Sequence, residues 1–144
     1  MGQVKIEITL RNARDVVMAR LGHLPPEQVH TYTTQGLIDT GATRSVLPPF
    51  VAERLGLIRL SRTEARYVNG LLEEVDVTEP FLVEILGRET SDDAMVLGED
   101  VLLGVTILEK LDLLVDCTRQ RLIPNPAHPA LSTTGSKADK TLVN

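Results

Sequence analysis

One carboxylate stands out by its setting. Asp39 ends the apolar run Leu37-Ile38 and is followed by Thr40, Gly41 and Ala42. Asp-Thr-Gly occurs once in the 144 residues. An aspartate working as half of a general acid/base pair needs a second carboxylate close by. With a single loop of this type, the second carboxylate is expected from another copy of the chain. The chemistry therefore carries a homodimer with it. Gly41 lets the backbone approach Asp39 and offer an amide donor with no Cβ in the way. Read without its flanks, Asp39-Thr40-Gly41 is also an ordinary strand-ending turn.

The flanks extend the pattern. Leu37-Ile38 precedes Asp39-Thr40-Gly41-Ala42, and Ser45 with Val46-Leu47 follows after two further residues. This segment resembles the active-site loop of retropepsins, the single-domain, dimeric aspartic proteases. A second segment, Val101-Leu102-Leu103-Gly104 followed by Val105 to Leu111, resembles the family's apolar-apolar-Gly segment and its helix. The resemblance covers roughly residues 4 to 124. Leu55-Gly56-Leu57 and the Asn69-Gly70 turn are closer to small prokaryotic members than to viral ones.

The resemblance implies an all-β, closed retropepsin-like barrel with one or two short helices, acting as a homodimeric aspartic endopeptidase without metal or cofactor. Asp39 would be catalytic. Thr40 would hydrogen-bond across the dimer beneath the two aspartates, Ala42 would leave room for a substrate side chain, and Ser45 would tie the loop to its own backbone. Tyr67, Val68, Asn69 and Gly70 lie where the family has its flap and would join Thr40, Gly41 and Ala42 in binding a peptide or protein substrate. Two positions depart from the viral pattern: Thr43 stands where an acidic residue is usual and Val105 where an arginine is usual. The ion pair those residues form near the dimer interface is missing. A non-catalytic dimeric peptide-binding or assembly module with the same fold remains the alternative, and an unrelated small β-barrel binding protein is a second.

Bulk properties narrow the field. A chain of 144 residues suits one domain with its own core. Aromatic residues are only 3% and Trp is absent, so the core must rest on Val, Leu and Ile. Few stacking platforms and a net charge of −5 argue against nucleic acid. No apolar run reaches membrane-spanning length and no apolar leader opens the chain, so a cytoplasmic protein without a membrane partner is expected. Cys117 is the only cysteine and reads as a small buried thiol at a strand end. His23, His30 and His128 lack metal-ligand spacing. Asp92, Asp93, Glu99 and Asp100 read as a solvated loop.

The elements that must position Asp39 are strands. Val4, Ile6, Ile8 and Leu10 alternate with polar residues and give a half-buried strand. Residues 12–15 read as a turn and 16–21 as a further strand. Residues 29–38 form the strand that delivers Asp39. Pro48 opens a short helix closed by Gly56. Residues 63–86 read as a β meander, with Asn69-Gly70 as the central pair of a type I′ hairpin turn. Ile107, Leu108 and Leu111 have helical spacing, and two short strands follow at 113–115 and 121–123. The expected domain is 1–124, with 125–144 as a flexible, proline-containing tail.

Overall fold

Alternation along β1 (Gln3–Asn12) buries Val4, Ile8 and Leu10 on one face. The strand is long enough to pair on both sides. β2 (Thr31–Asp39) runs antiparallel to it, from Arg11↔Thr31 to Gln3↔Asp39. On its other side β1 meets β6 (Phe81–Ile85), which turns back into β7 (Arg88–Asp92). Beyond β2 lie β9 (Leu102–Gly104), β3 (Ser45–Leu47), β8 (Ala94–Val96), β5 (Leu72–Thr78) and β4 (Arg59–Arg66), in that order. A separate hairpin pairs β10 (Leu113–Asp116) with β11 (Arg121–Pro124). This computed structural model describes residues 3–128.

The architecture is mostly β, as expected. The main sheet runs open from β4 to β7, and among the described residues no pairing of those two edges closes it into a barrel. Its core is aliphatic: Ile8, Leu10, Ile38, Leu47, Leu103 and Ile107 are almost wholly excluded from solvent. Each such side chain stabilises the fold by about 1.5–3 kcal/mol. Phe81 is the one buried aromatic of this core.

The described residues form three α-helices rather than one or two. The unexpected one is α1 (Ala13–Arg20), in place of the turn and strand read over 12–21. Val16-Val17 suggested a strand, but Asn12 caps a helix there. Its side-chain oxygen accepts the Asp15 N–H at 3.0 Å, while its amide donates to the Leu55 carbonyl at 2.8 Å. The pattern was misleading because Val17 and Leu21 stay exposed instead of entering a core. α2 (Pro49–Arg54) begins one residue after the expected start. Gly56 follows it with φ of 64°, and the Leu57 N–H reaches back to the Ala52 carbonyl, closing the helix as a Schellman motif. α3 (Val105–Leu111) occupies the expected helical stretch.

One further expectation fails locally. Cys117 is exposed, in the turn after β10. The chain past β11 is held through His128: the Asn125 N–H donates to the Asp112 carbonyl, and the buried Arg88 donates to the His128 carbonyl at 3.0 Å. The remainder of the expected tail, 129–144, lies outside the described residues. No helix among the described residues is long and apolar enough to cross a membrane.

Candidate active site

Asp39 is the last residue of β2 and half-buried. The chain turns sharply after it. The Ala42 N–H donates to the Asp39 carbonyl at 3.1 Å, and the Gly41 N–H donates to Asp39 Oδ1 at 2.9 Å. The aspartate thus shapes its own loop, and one carboxylate oxygen already has a backbone donor.

The floor of this loop is the second segment singled out in the sequence. β2 and β9 pair in parallel, with Asp39 opposite Gly104 and Ile38 opposite Leu103. From there the Val105 N–H donates to the Ala42 carbonyl at 2.8 Å, and the Thr106 hydroxyl donates to the Thr43 carbonyl at 3.1 Å. Gly104 is required by this contact. A Cβ on it would lie 2.6 Å from the Thr43 carbonyl oxygen and 2.9 Å from that of Ala42. Gly41 is under no such constraint within the chain, because a Cβ there would meet only Asp39 Oδ1, at 3.4 Å. The Gly41 N–H makes the donor contact expected of it, while the position with no room for a Cβ is 104.

Ser45 is buried and anchors the loop, though not through its own backbone as expected. Its hydroxyl donates to Asp92 Oδ2 at 2.7 Å and accepts the Gly104 N–H at 3.3 Å. Asp92 was therefore misread as part of a solvated acidic loop. It ends β7, and Lys110 of α3 lies 4.0 Å away. No local spacing links residues 45, 92 and 104; only their strands bring them together.

Thr40 points away from this support. Among the described residues its hydroxyl has no hydrogen-bond partner, and it is exposed. It borders an open groove of about 470 Å³ lined mostly by apolar side chains, among them Val105, Leu108, Leu113 and Leu114, with Glu109 and Asp112 also on its wall. Another depression, of about 530 Å³, lies around Arg11, Glu84 and Glu89 at the far end of β1 from Asp39.

β4 and β5 form the hairpin expected to act as a flap. Gly70 has φ of 87°, as anticipated, but the turn is not type I′. The Gly70 N–H donates to the Tyr67 carbonyl, so Val68 and Asn69 are the central residues, and Asn69 is not among the residues with positive φ. Tyr67 N–H pairs with the Leu71 carbonyl, leaving a three-residue loop that ends on a left-handed glycine. The Asn69 side chain accepts the Leu71 N–H and stiffens it. Val68 is fully exposed at the tip. The Tyr67 hydroxyl donates to Glu73, which pushes the phenol above its ordinary range. Among the described residues, no hydrogen bond or ion pair joins this tip to the Asp39 loop.

The Asp39-Thr40-Gly41 loop is thus seated on the apolar-apolar-Gly strand Leu102–Gly104 and on the helix that follows it. Residues 26–110 match the family described as "gag-polyprotein putative aspartyl protease". The chain belongs to that family, the retropepsin-like aspartic proteases. Among solved structures it is similar to EIAV protease, determined with a bound inhibitor. The identity is 30%, the match covers 55% of this chain and 77% of that one, and the TM-score is 0.46. No curated protein matches the chain.

Proposed function

We propose that the chain is a homodimeric aspartic endopeptidase in which two Asp39 carboxylates meet across a two-fold axis. One observation carries this reading: a single Asp39 loop, rigidly floored by Gly104, stands beside an exposed Thr40 and an uncovered apolar groove. The site is half of a dyad next to a surface suited to a second copy. Two carboxylates brought that close cannot both ionise easily and share a proton. The ionised one takes a proton from a bound water as the water attacks the peptide carbonyl. The protonated one donates to the carbonyl oxygen. The tetrahedral diol collapses when the dyad returns a proton to the leaving amine. Thr40 would bridge the copies beneath the dyad, Gly41 and Ala42 would line the substrate cleft, and residues 67–70 would close over the peptide. A single exposed, unpaired Cys117 fits a reducing compartment, and we place the enzyme in the cytoplasm.

The test is cleavage of a broad peptide library by wild type and Asp39→Asn at acidic and neutral pH, with the oligomeric state followed by light scattering. The amide is close in size to the acid but cannot act as the base, so the variant should fold, dimerise and fail to cleave. Undiminished turnover by the folded variant removes the dyad. Peptide binding by wild type with no cleavage at any pH favours the non-catalytic module instead.

A further inference from the structure

The β4–β5 hairpin has two unlike faces. In its register Thr63 opposes Val75, Ala65 opposes Glu73, and Tyr67 meets Leu71. Residues paired in this way share a face. The face carrying Ala65, Val75 and Val77 is turned toward the body, because all three are buried. Tyr67 and Glu73 continue that same face past the point where it leaves the body, and both are exposed. The opposite face carries Arg62, Glu64, Arg66, Glu74 and Asp76. There Arg62 lies 3.7 Å from Glu74 and 3.5 Å from Asp76, so the charges offset one another.

Glu73 is the charged residue of the inward face. The Tyr67 hydroxyl donates to its Oε1, which fixes the side chain's direction. Among the described residues no cation lies within salt-bridge distance of it. An oriented carboxylate, held by a neutral donor and left without a counter-charge, lies under the distal half of a hairpin. Resting on the flap reading above, we infer that Glu73 is a specificity-determining residue that receives a lysine or arginine side chain of the bound peptide, with Tyr67 as its positioning residue. Flap closure would remove water from around the pair and strengthen the attraction. The chain's net charge of −5 draws basic peptides toward the site from a distance.

Peptides identical except for lysine or glutamine at one position, with that position moved along the substrate, are compared on wild type, Glu73→Gln and Tyr67→Phe. The readout is the lysine-to-glutamine ratio of kcat/KM, at low and high salt. The same ratio in binding is measured on Asp39→Asn and on Asp39→Asn with Glu73→Gln. At one position wild type should prefer lysine by about tenfold, the scale of a well-placed charge pair, and added salt should reduce the ratio. Glu73→Gln should bring it to near unity. Tyr67→Phe should keep the preference for lysine while broadening the positions at which it is felt. A lysine preference that survives Glu73→Gln overturns the inference, as does wild type that handles both peptides alike. Protein that binds peptides without cleaving them removes the protease reading, while the binding ratio still decides the role of Glu73. Protein that neither binds nor cleaves any peptide removes both.

Discussion

A methyl group at position 104 would sit 2.6 Å from the Thr43 carbonyl oxygen and 2.7 Å from its carbon, both of them backbone atoms that cannot swing aside. Gly104→Ala must therefore push the Asp39 loop away from β9 or strain the strand. We expect a loss of about 1–3 kcal/mol in stability, as for other overpacked sites, with a fall in turnover larger than that loss explains. Gly41→Ala meets only an ordinary contact within the chain and should leave thermal stability nearly unchanged. Calorimetry with peptide kinetics on the two variants checks both, and equal behaviour would mean the floor contact does not position the loop. At this scale the sequence was legible where residues act through neighbours along the chain. Asp39 could be picked out by its flanks, and the Gly41 donor followed from an offset of two. The Ser45–Asp92–Gly104 anchor was hidden, because hydrogen bonds between distant strands leave no periodicity to read.

Hairpins and helices show the same division. The strand delivering Asp39 was visible from its β-forming residues, and the helix after Gly104 from helical spacing. α1 was not, because Val16-Val17 mimics a strand and the Asn12 cap that decides the matter is a single side chain. The Asn69-Gly70 pair marked the hairpin correctly but not its turn, since an Asn-Gly pair fits a three-residue loop as well as a two-residue one. Gly70→Val tests what that loop is for. No atom lies within 4 Å of a Cβ there, so the cost is backbone strain alone, about 1–2 kcal/mol for a β-branched residue at positive φ. Under the flap reading, turnover should fall by more than this strain accounts for, because a tip with few packing contacts would have to close over substrate. Stopped-flow kinetics beside thermal unfolding separate the two effects. Parallel losses would make the hairpin merely structural.

Taken as a whole, the molecule is sewn together by carboxylates. Glu79 accepts both Arg14 Nη2, at 2.9 Å, and the Ile58 N–H, at 2.8 Å, joining α1 to the segment after α2. The hydrogen bond from Arg14 holds the Glu79 carboxyl below its ordinary value. Burial pushes Asp15 up, but the His30 backbone amide and imidazole outweigh it and the carboxyl titrates low. A depressed carboxyl stabilises the fold fully above its unfolded value and loses that effect as pH falls through its folded one. Glu79→Gln should thus be less stable than wild type by about 1–2 kcal/mol at neutral pH. The gap should narrow as pH drops below 4.5, the ordinary glutamate value. Urea titrations across that range decide, and a gap independent of pH would sink the assignment. The groove beside Thr40 gives the other whole-molecule test. Leu114 is 43% exposed at its edge, so Leu114→Lys should leave the monomer's stability within about 0.5 kcal/mol. It should raise the dimer dissociation constant at least tenfold, and activity per chain should fade on dilution sooner than in wild type. Sedimentation at several concentrations measures this. An unchanged dimer would place the interface elsewhere.

The parallel pairing of Asp39 with Gly104 also sets a clock on synthesis. About 65 residues separate the two partners, and at about 5–20 residues per second a ribosome needs roughly 3–13 s to make that stretch. Until β9 and α3 emerge, the Asp39 loop has no floor and Ser45 lacks its Gly104 donor. If the proposed activity holds, the site that would carry it is not assembled before that point. Ribosome-arrested chains ending before Gly104 should show an Asp39 loop open to limited proteolysis, with protection appearing once α3 has left the exit tunnel. Protection in the shorter chains would mean the loop sets without its partner.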